Sequence, residues 1–109
     1  MTATVIALQG ELGSGKTYFA QQFGKVVGVR ENMASPTFVL MKSYSIDWGG
    51  FKKLIHIDAY RLEKDEELLN LGWSEIVKNP ENIVLIEWPE RVENIIPKDA
   101  KRLIFKHDN

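Results

Sequence analysis

The segment GELGSGKT, from Gly10 to Thr17, lies between the apolar run TVIALQ and a stretch of helical spacing. It fits the pattern G-x-x-x-x-G-K-[ST], and that pattern leaves few folds open. Glycines let backbone N–H groups turn inward with no Cβ in the way, which builds a concave nest for anionic oxygens. A helix starting near Gly15 adds unpaired N–H groups and the positive end of its dipole at the same point. On this reading Gly10, Glu11, Leu12, Gly13, Ser14 and Gly15 form the cradle for a phosphate chain. Lys16 neutralises the β- and γ-phosphates, and Thr17 offers its hydroxyl to Mg²⁺.

The flanking sequence supplies the context that this motif needs. TVIALQ (Thr4 to Gln9) is short, β-branched and apolar, as a buried strand is. KTYFAQQFGKVVG places Phe19, Ala20, Phe23, Val26 and Val27 at helical spacing, with Gly28 as the stop. In ENMASPTFVL, Pro36 pushes Ser35 away from helical backbone, so an extended segment follows. FVLMKSYSI and FKKLIHID flank DWGG, which predicts an antiparallel hairpin and therefore a mixed sheet. KDEELLNLGWSEIVKN, acidic at its start and broken at Gly72, predicts one or two short helices. NIVLIEW reads as a further buried strand, Arg91 to Ile96 as a short helical or turn segment, and KRLIFKH as a last strand. The expected fold class is α/β: a P-loop nucleotide-binding domain with a mixed, mainly parallel sheet, one antiparallel hairpin and flanking helices. The whole of 1–109 is taken as one such domain, because 109 residues at 44% hydrophobic content leave no room for a second core.

Composition narrows the function classes. Fourteen basic residues against 15 acidic ones give a formal net charge of -1, so no global attraction to DNA, RNA or an anionic membrane exists. With no cysteine, and with His56 and His107 outside any metal-ligand spacing, a structural metal is not expected. Apolar runs such as VIAL and IVLI are too short to span a bilayer, and the expected location is cytoplasmic.

In open α/β sheets the ligand sits beyond the carboxyl ends of the strands. Two strands end in acids there. KLIHID ends at Asp58 and NIVLIEW carries Glu87 after four apolar residues, so both are candidates for supporting Mg²⁺ or orienting the attacking water. Which does which stays open. Thr37, in SPTF, is a third candidate, since a threonine on an extended loop can sense the γ-phosphate and Mg²⁺. His56 shares the strand face of Asp58 and either touches the site or is a satisfied core histidine. Trp73 and Trp88 read as core or surface-covering aromatics.

Taken in order, GELGSGKT, SPTFVL, HIDAYRL and LIEWPER resemble the TsaE family of bacterial ATPases, from about Val5 to Ile104. The resemblance implies an ATP- and Mg²⁺-dependent, slow hydrolase that serves threonylcarbamoyladenosine modification of tRNA, acting on a complex of the TsaD and TsaB proteins. TsaD carries the transfer onto the adenosine beside the anticodon, and tRNA is met only through those partners. By motif position the resemblance puts Lys16 and Thr17 in the phosphate and Mg²⁺ site, Thr37 in a switch-like segment, and Asp58 and Glu87 in metal and hydrolysis chemistry. Tyr60, Arg61 and Trp88 also fall on motif positions. Relative to the family pattern the chain is short at both ends, which implies open edges that want a partner.

Two other readings stay in view. One is a nucleotide-binding interaction subunit that does not hydrolyse ATP; the other, a small-molecule kinase, lacks a dedicated acceptor pocket or lid in the sequence. The absence of an N-K-x-D element favours adenine over guanine.

Overall fold

The computed structural model describes residues 1–11, 13–33 and 40–106. Strand β1 (Thr4–Gly10) leads through the glycine loop into helix α1 (Lys16–Val27), and strands β2 (Met41–Trp48) and β3 (Phe51–Asp58) follow as a hairpin. Two short helices, α2 (Asp65–Leu69) and α3 (Trp73–Lys78), precede strand β4 (Asn82–Glu87). A 3₁₀ segment (Pro89–Ile95) and strand β5 (Lys101–Phe105) complete the described chain. The expected helix break falls at Gly72, and the expected hairpin turns at Gly49 and Gly50. Phe38 and Val39, read as the start of the extended segment, and His107 lie outside the described residues.

The five strands run in the order β2-β3-β4-β1-β5. Neighbours are parallel except β2 and β3, which pair antiparallel with a bulge between Ser45 and Trp48. The expected mixed α/β sheet is what forms. Central β4 is buried at every position, as a parallel strand covered on both faces must be. Edge strand β5 is largely exposed.

Strand alternation sends side chains to two cores. On one face Val5, Ala7, Ile55, Ile57, Val84 and Ile86 meet Leu68 of α2, Trp73 of α3 and Val92 of the 3₁₀ segment. On the other, Leu8, Leu54, Ile83 and Leu85 meet Ala20 and Val27 of α1. Trp73 belongs to the first core as expected, with its indole N–H donated to the Ile95 carbonyl at 2.9 Å. Among the described residues no helix is long and apolar enough to cross a membrane.

The pairing register decides where the strands end. Leu8 of β1 lies beside Glu87 of β4, and Glu87 lies beside Asp58 of β3. Parallel strands β3 and β4 therefore finish level, β1 between β4 and β5 runs on to Gly10, and the chain leaves all three on the same rim of the sheet.

Candidate functional site

The glycine loop is held from below by β5. A Cβ at Gly10 would stand 2.6 Å from the Phe105 carbonyl oxygen and 2.7 Å from Ser14 Oγ, so a side chain there would displace backbone. At the other end of the loop, Gly15 caps α1 at φ 102°, a conformation that side chains resist. Between them the Ser14 N–H bonds the Glu11 carbonyl at 3.1 Å, and the first helical bond runs from the Phe19 N–H to the Gly15 carbonyl at 2.9 Å. Leu12, one of the expected cradle residues, is outside the described residues, as is Thr37.

Lys16 is buried, only 4% exposed, although it is the first residue of a helix. Its ammonium donates to the carbonyls of Gly10 and Glu11 and lies 4.1 Å from the centre of the Trp88 ring. Burial pulls its pKa below the ordinary lysine value, while the carboxylates of Glu87, Glu90, Asp58 and Glu11 pull it back. The cation is thus desolvated but surrounded by negative charge.

Glu87 joins the loop to the strand tips. It is 3% exposed, and its Oε1 accepts the Thr17 hydroxyl at 2.9 Å. Its Oε2 lies 2.6 Å from Nε2 of His56, itself 1% exposed. Of the two options open for His56, touching the site is the one that holds. Its Nδ1 is buried with no hydrogen-bond partner among the described residues.

Asp58, level with Glu87 on the next strand, is half-buried and uses Oδ1 to accept the Tyr60 N–H at 3.0 Å. Burial raises its carboxyl above the usual range; the Tyr60 N–H opposes that, neighbouring Glu87 adds to it, and His56 and Lys16 oppose it. Backbone bonds tie the three tips together: Ala59 N–H to the Glu87 carbonyl at 2.9 Å and Trp88 N–H to the Leu8 carbonyl at 3.3 Å.

Trp88 does more than the sequence reading allowed. It packs partly against the first core, as a covering aromatic does, and its ring also faces the Lys16 ammonium. To do so it adopts φ 61° and ψ 50°, left-handed backbone that bulky residues avoid. The Tyr60 ring stands 4.9 Å from it, centre to centre, and the Arg91 guanidinium lies 5.5 Å from the centre of Tyr60. Arg61 is exposed on the same turn as Tyr60.

The donor set can be tested against a divalent cation. Among the described residues no three His, Asp or Glu side chains gather closely enough to hold an ion by themselves. That suits Mg²⁺, which keeps most of its water and takes one or two protein oxygens together with phosphate oxygens. The Thr17 hydroxyl and the carboxylates of Glu87 and Asp58 are hard oxygen donors of that kind, set beside the loop. The residues present fit the group.

Comparison with known proteins decides the family. The family profile described as "Threonylcarbamoyl adenosine biosynthesis protein TsaE" matches residues 1–109. The chain belongs to the TsaE family. The tRNA threonylcarbamoyladenosine biosynthesis protein TsaE of Bacillus subtilis is 33% identical over 94% of this chain and 61% of the relative. The protein of the same name from Nostoc is 44% identical over 82% of this chain and 54% of the relative. In three dimensions the fold is similar to the crystal structure of YdiB from Bacillus subtilis, with a TM-score of 0.73, 27% identity, and coverage of 99% of this chain and 62% of that one. The chain therefore spans little more than half the length of these TsaE relatives, and the P-loop fold class read from the sequence is the one found.

Proposed function

We propose that this chain binds ATP with Mg²⁺ and hydrolyses it slowly, in support of threonylcarbamoyl modification of the tRNA adenosine beside the anticodon, acting on a TsaD–TsaB complex. Family membership supports the pathway, and the convergence of Lys16, Thr17, Asp58 and Glu87 on one rim supports the chemistry. The observation that carries the reading is the bond from the Thr17 hydroxyl to Glu87, which links the loop to a strand-end acid 70 residues away.

On this reading the loop N–H groups and Lys16 bind and orient the triphosphate. Thr17, with Asp58 and Glu87 around it, would hold Mg²⁺, which supplies charge neutralisation at the β- and γ-phosphate oxygens. Trp88 covers Lys16 and keeps bulk water off the ammonium. Of the two carboxylates, Asp58 keeps one oxygen without a hydrogen bond among the described residues after the Tyr60 N–H, and suits orientation of the attacking water.

One observation favours the alternative of a nucleotide-dependent subunit that does not hydrolyse. Both oxygens of Glu87 are already engaged, by Thr17 and by His56, so Glu87 as it stands is a brace and not a free base. Calorimetric titration with ATP and GTP in Mg²⁺, followed by turnover with and without TsaD and TsaB, separates the readings. Hydrolysis is expected to be slow alone, to rise with the partners and to be lost in Asp58→Asn while ATP still binds. ATP binding that Lys16→Ala abolishes, with no turnover by the wild-type chain either alone or with the partners, establishes the non-hydrolysing subunit instead. Modification of tRNA that survives Lys16→Ala overturns both.

A further inference from the structure

We propose that His56 is a positioning residue of this site: by donating from Nε2 to Glu87 it fixes the carboxylate that aims the Thr17 hydroxyl. The proposal rests on the nucleotide reading given above for what Thr17 faces, and its geometry stands without it.

The position itself asks for an apolar residue. His56 lies in the middle of the sheet, in register with Leu85 of β4 on one side and with Lys42 of β2 on the other, and it shares its strand face with Leu54. Burying an imidazole there costs free energy that leucine or valine would avoid, and the cost is not fully offset, because Nδ1 has no partner among the described residues. Buried ring nitrogens are ordinarily paired. His56 satisfies the nitrogen that faces Glu87, at 2.6 Å, and leaves the other bare.

The direction of the bonds follows from the groups. A carboxylate only accepts, so the ring donates from Nε2, and in the Nε2–H tautomer Nδ1 is the bare lone pair. An unpaired lone pair inside the fold is less costly than an unpaired N–H, so the same tautomer suits both ends of the ring. With Oε2 held, the carboxylate cannot rotate about its terminal bond. Oε1 then faces Thr17 and takes its hydroxyl hydrogen, at 2.9 Å. A hydroxyl that has given its hydrogen to Glu87 presents only lone pairs in its other directions, which is what a cation beside it requires. Partners one step removed from a metal act in this way, and losing one lowers metal affinity by about 10- to 100-fold.

The test compares ATP affinity in Mg²⁺ with ATP affinity in EDTA, for the wild-type chain, His56→Leu and His56→Gln. In His56→Leu the advantage given by Mg²⁺ is expected to shrink roughly tenfold, with affinity in EDTA little changed. His56→Gln, whose amide nitrogen reaches about as far as Nε2, is expected to restore most of it. A folded His56→Leu with the full Mg²⁺ advantage overturns the proposal, and so does a His56→Gln that loses as much as His56→Leu. Should His56→Leu not fold, ¹⁵N spectra of the wild-type imidazole decide: an Nε2–H tautomer is expected, and an Nδ1–H tautomer overturns the proposal. Failure of the wild-type chain to bind ATP in Mg²⁺ overturns the nucleotide reading instead, and the ¹⁵N spectrum still tests the role of His56.

Discussion

The sheet face under α2, α3 and the 3₁₀ segment buries Ile57, Leu68, Trp73, Ile86 and Val92; among the described residues its one buried polar side chain, Asn82, sits at the end of β4 away from the loop and donates to the Ile76 carbonyl. The face under α1 encloses Lys16, His56 and Glu87 together with its apolar residues, all of them near the loop. The first face holds the fold together by removing apolar surface from water. The second gives up part of that gain to keep charge in a desolvated place, which is what a site for a charged ligand needs. Stability and chemistry are thus divided between the two sides of one sheet, and substitutions should separate them.

The largest effect belongs to the apolar face. Leu68→Ala, at a fully buried position, should lower unfolding free energy in urea by about 2–5 kcal/mol, with ATP affinity of the folded fraction unchanged. Loss of binding in proportion would mean that the faces are coupled. Next comes Lys16→Ala, expected to weaken ATP binding by about 100-fold while the melting temperature holds or rises, since a desolvated charge has been removed. A large drop in melting temperature would show Lys16 to be a structural strut.

Asp58→Asn gives a smaller effect with a diagnostic pH profile. Asparagine can still accept the Tyr60 N–H. Because the folded pKa of Asp58 is raised by burial, the native state binds this proton more tightly than the unfolded chain, and stability falls as pH rises through the folded value. The wild-type chain without nucleotide should therefore be less stable than Asp58→Asn at neutral pH. That gap should close as pH falls through the folded pKa toward 3.8, the ordinary value. A gap that is constant with pH would point to packing. The smallest effect is expected away from both cores: Lys52 and Asp47, 3.2 Å apart and both well exposed, form a pair whose loss in Lys52→Ala should change stability by under about 0.5 kcal/mol.

The elements were legible in the sequence because their signals are local. Gly10 to Thr17 names its own conformation, Gly28 and Gly72 mark helix limits, and β4 declares its burial through an unbroken apolar run. Asp58 and Glu87 could be placed on the loop rim because parallel strands share a direction. What the sequence could not settle depended on register. His56 touches Glu87 only because β3 and β4 align Asp58 with Glu87, and a shift of one residue would point the ring to the other face. Trp88 reads as a covering aromatic by type; its place over Lys16 depends on a left-handed backbone angle that nothing in WPER announces.

Gly10 carries a practical warning for mutagenesis. It pairs with Phe105 at the end of β5, and a Cβ there would stand 2.6 Å from the Phe105 carbonyl oxygen. Replacing it by alanine would prise β5 from β1 before any nucleotide arrived, so a silent binding curve from that variant would report a sprung frame and not a missing contact.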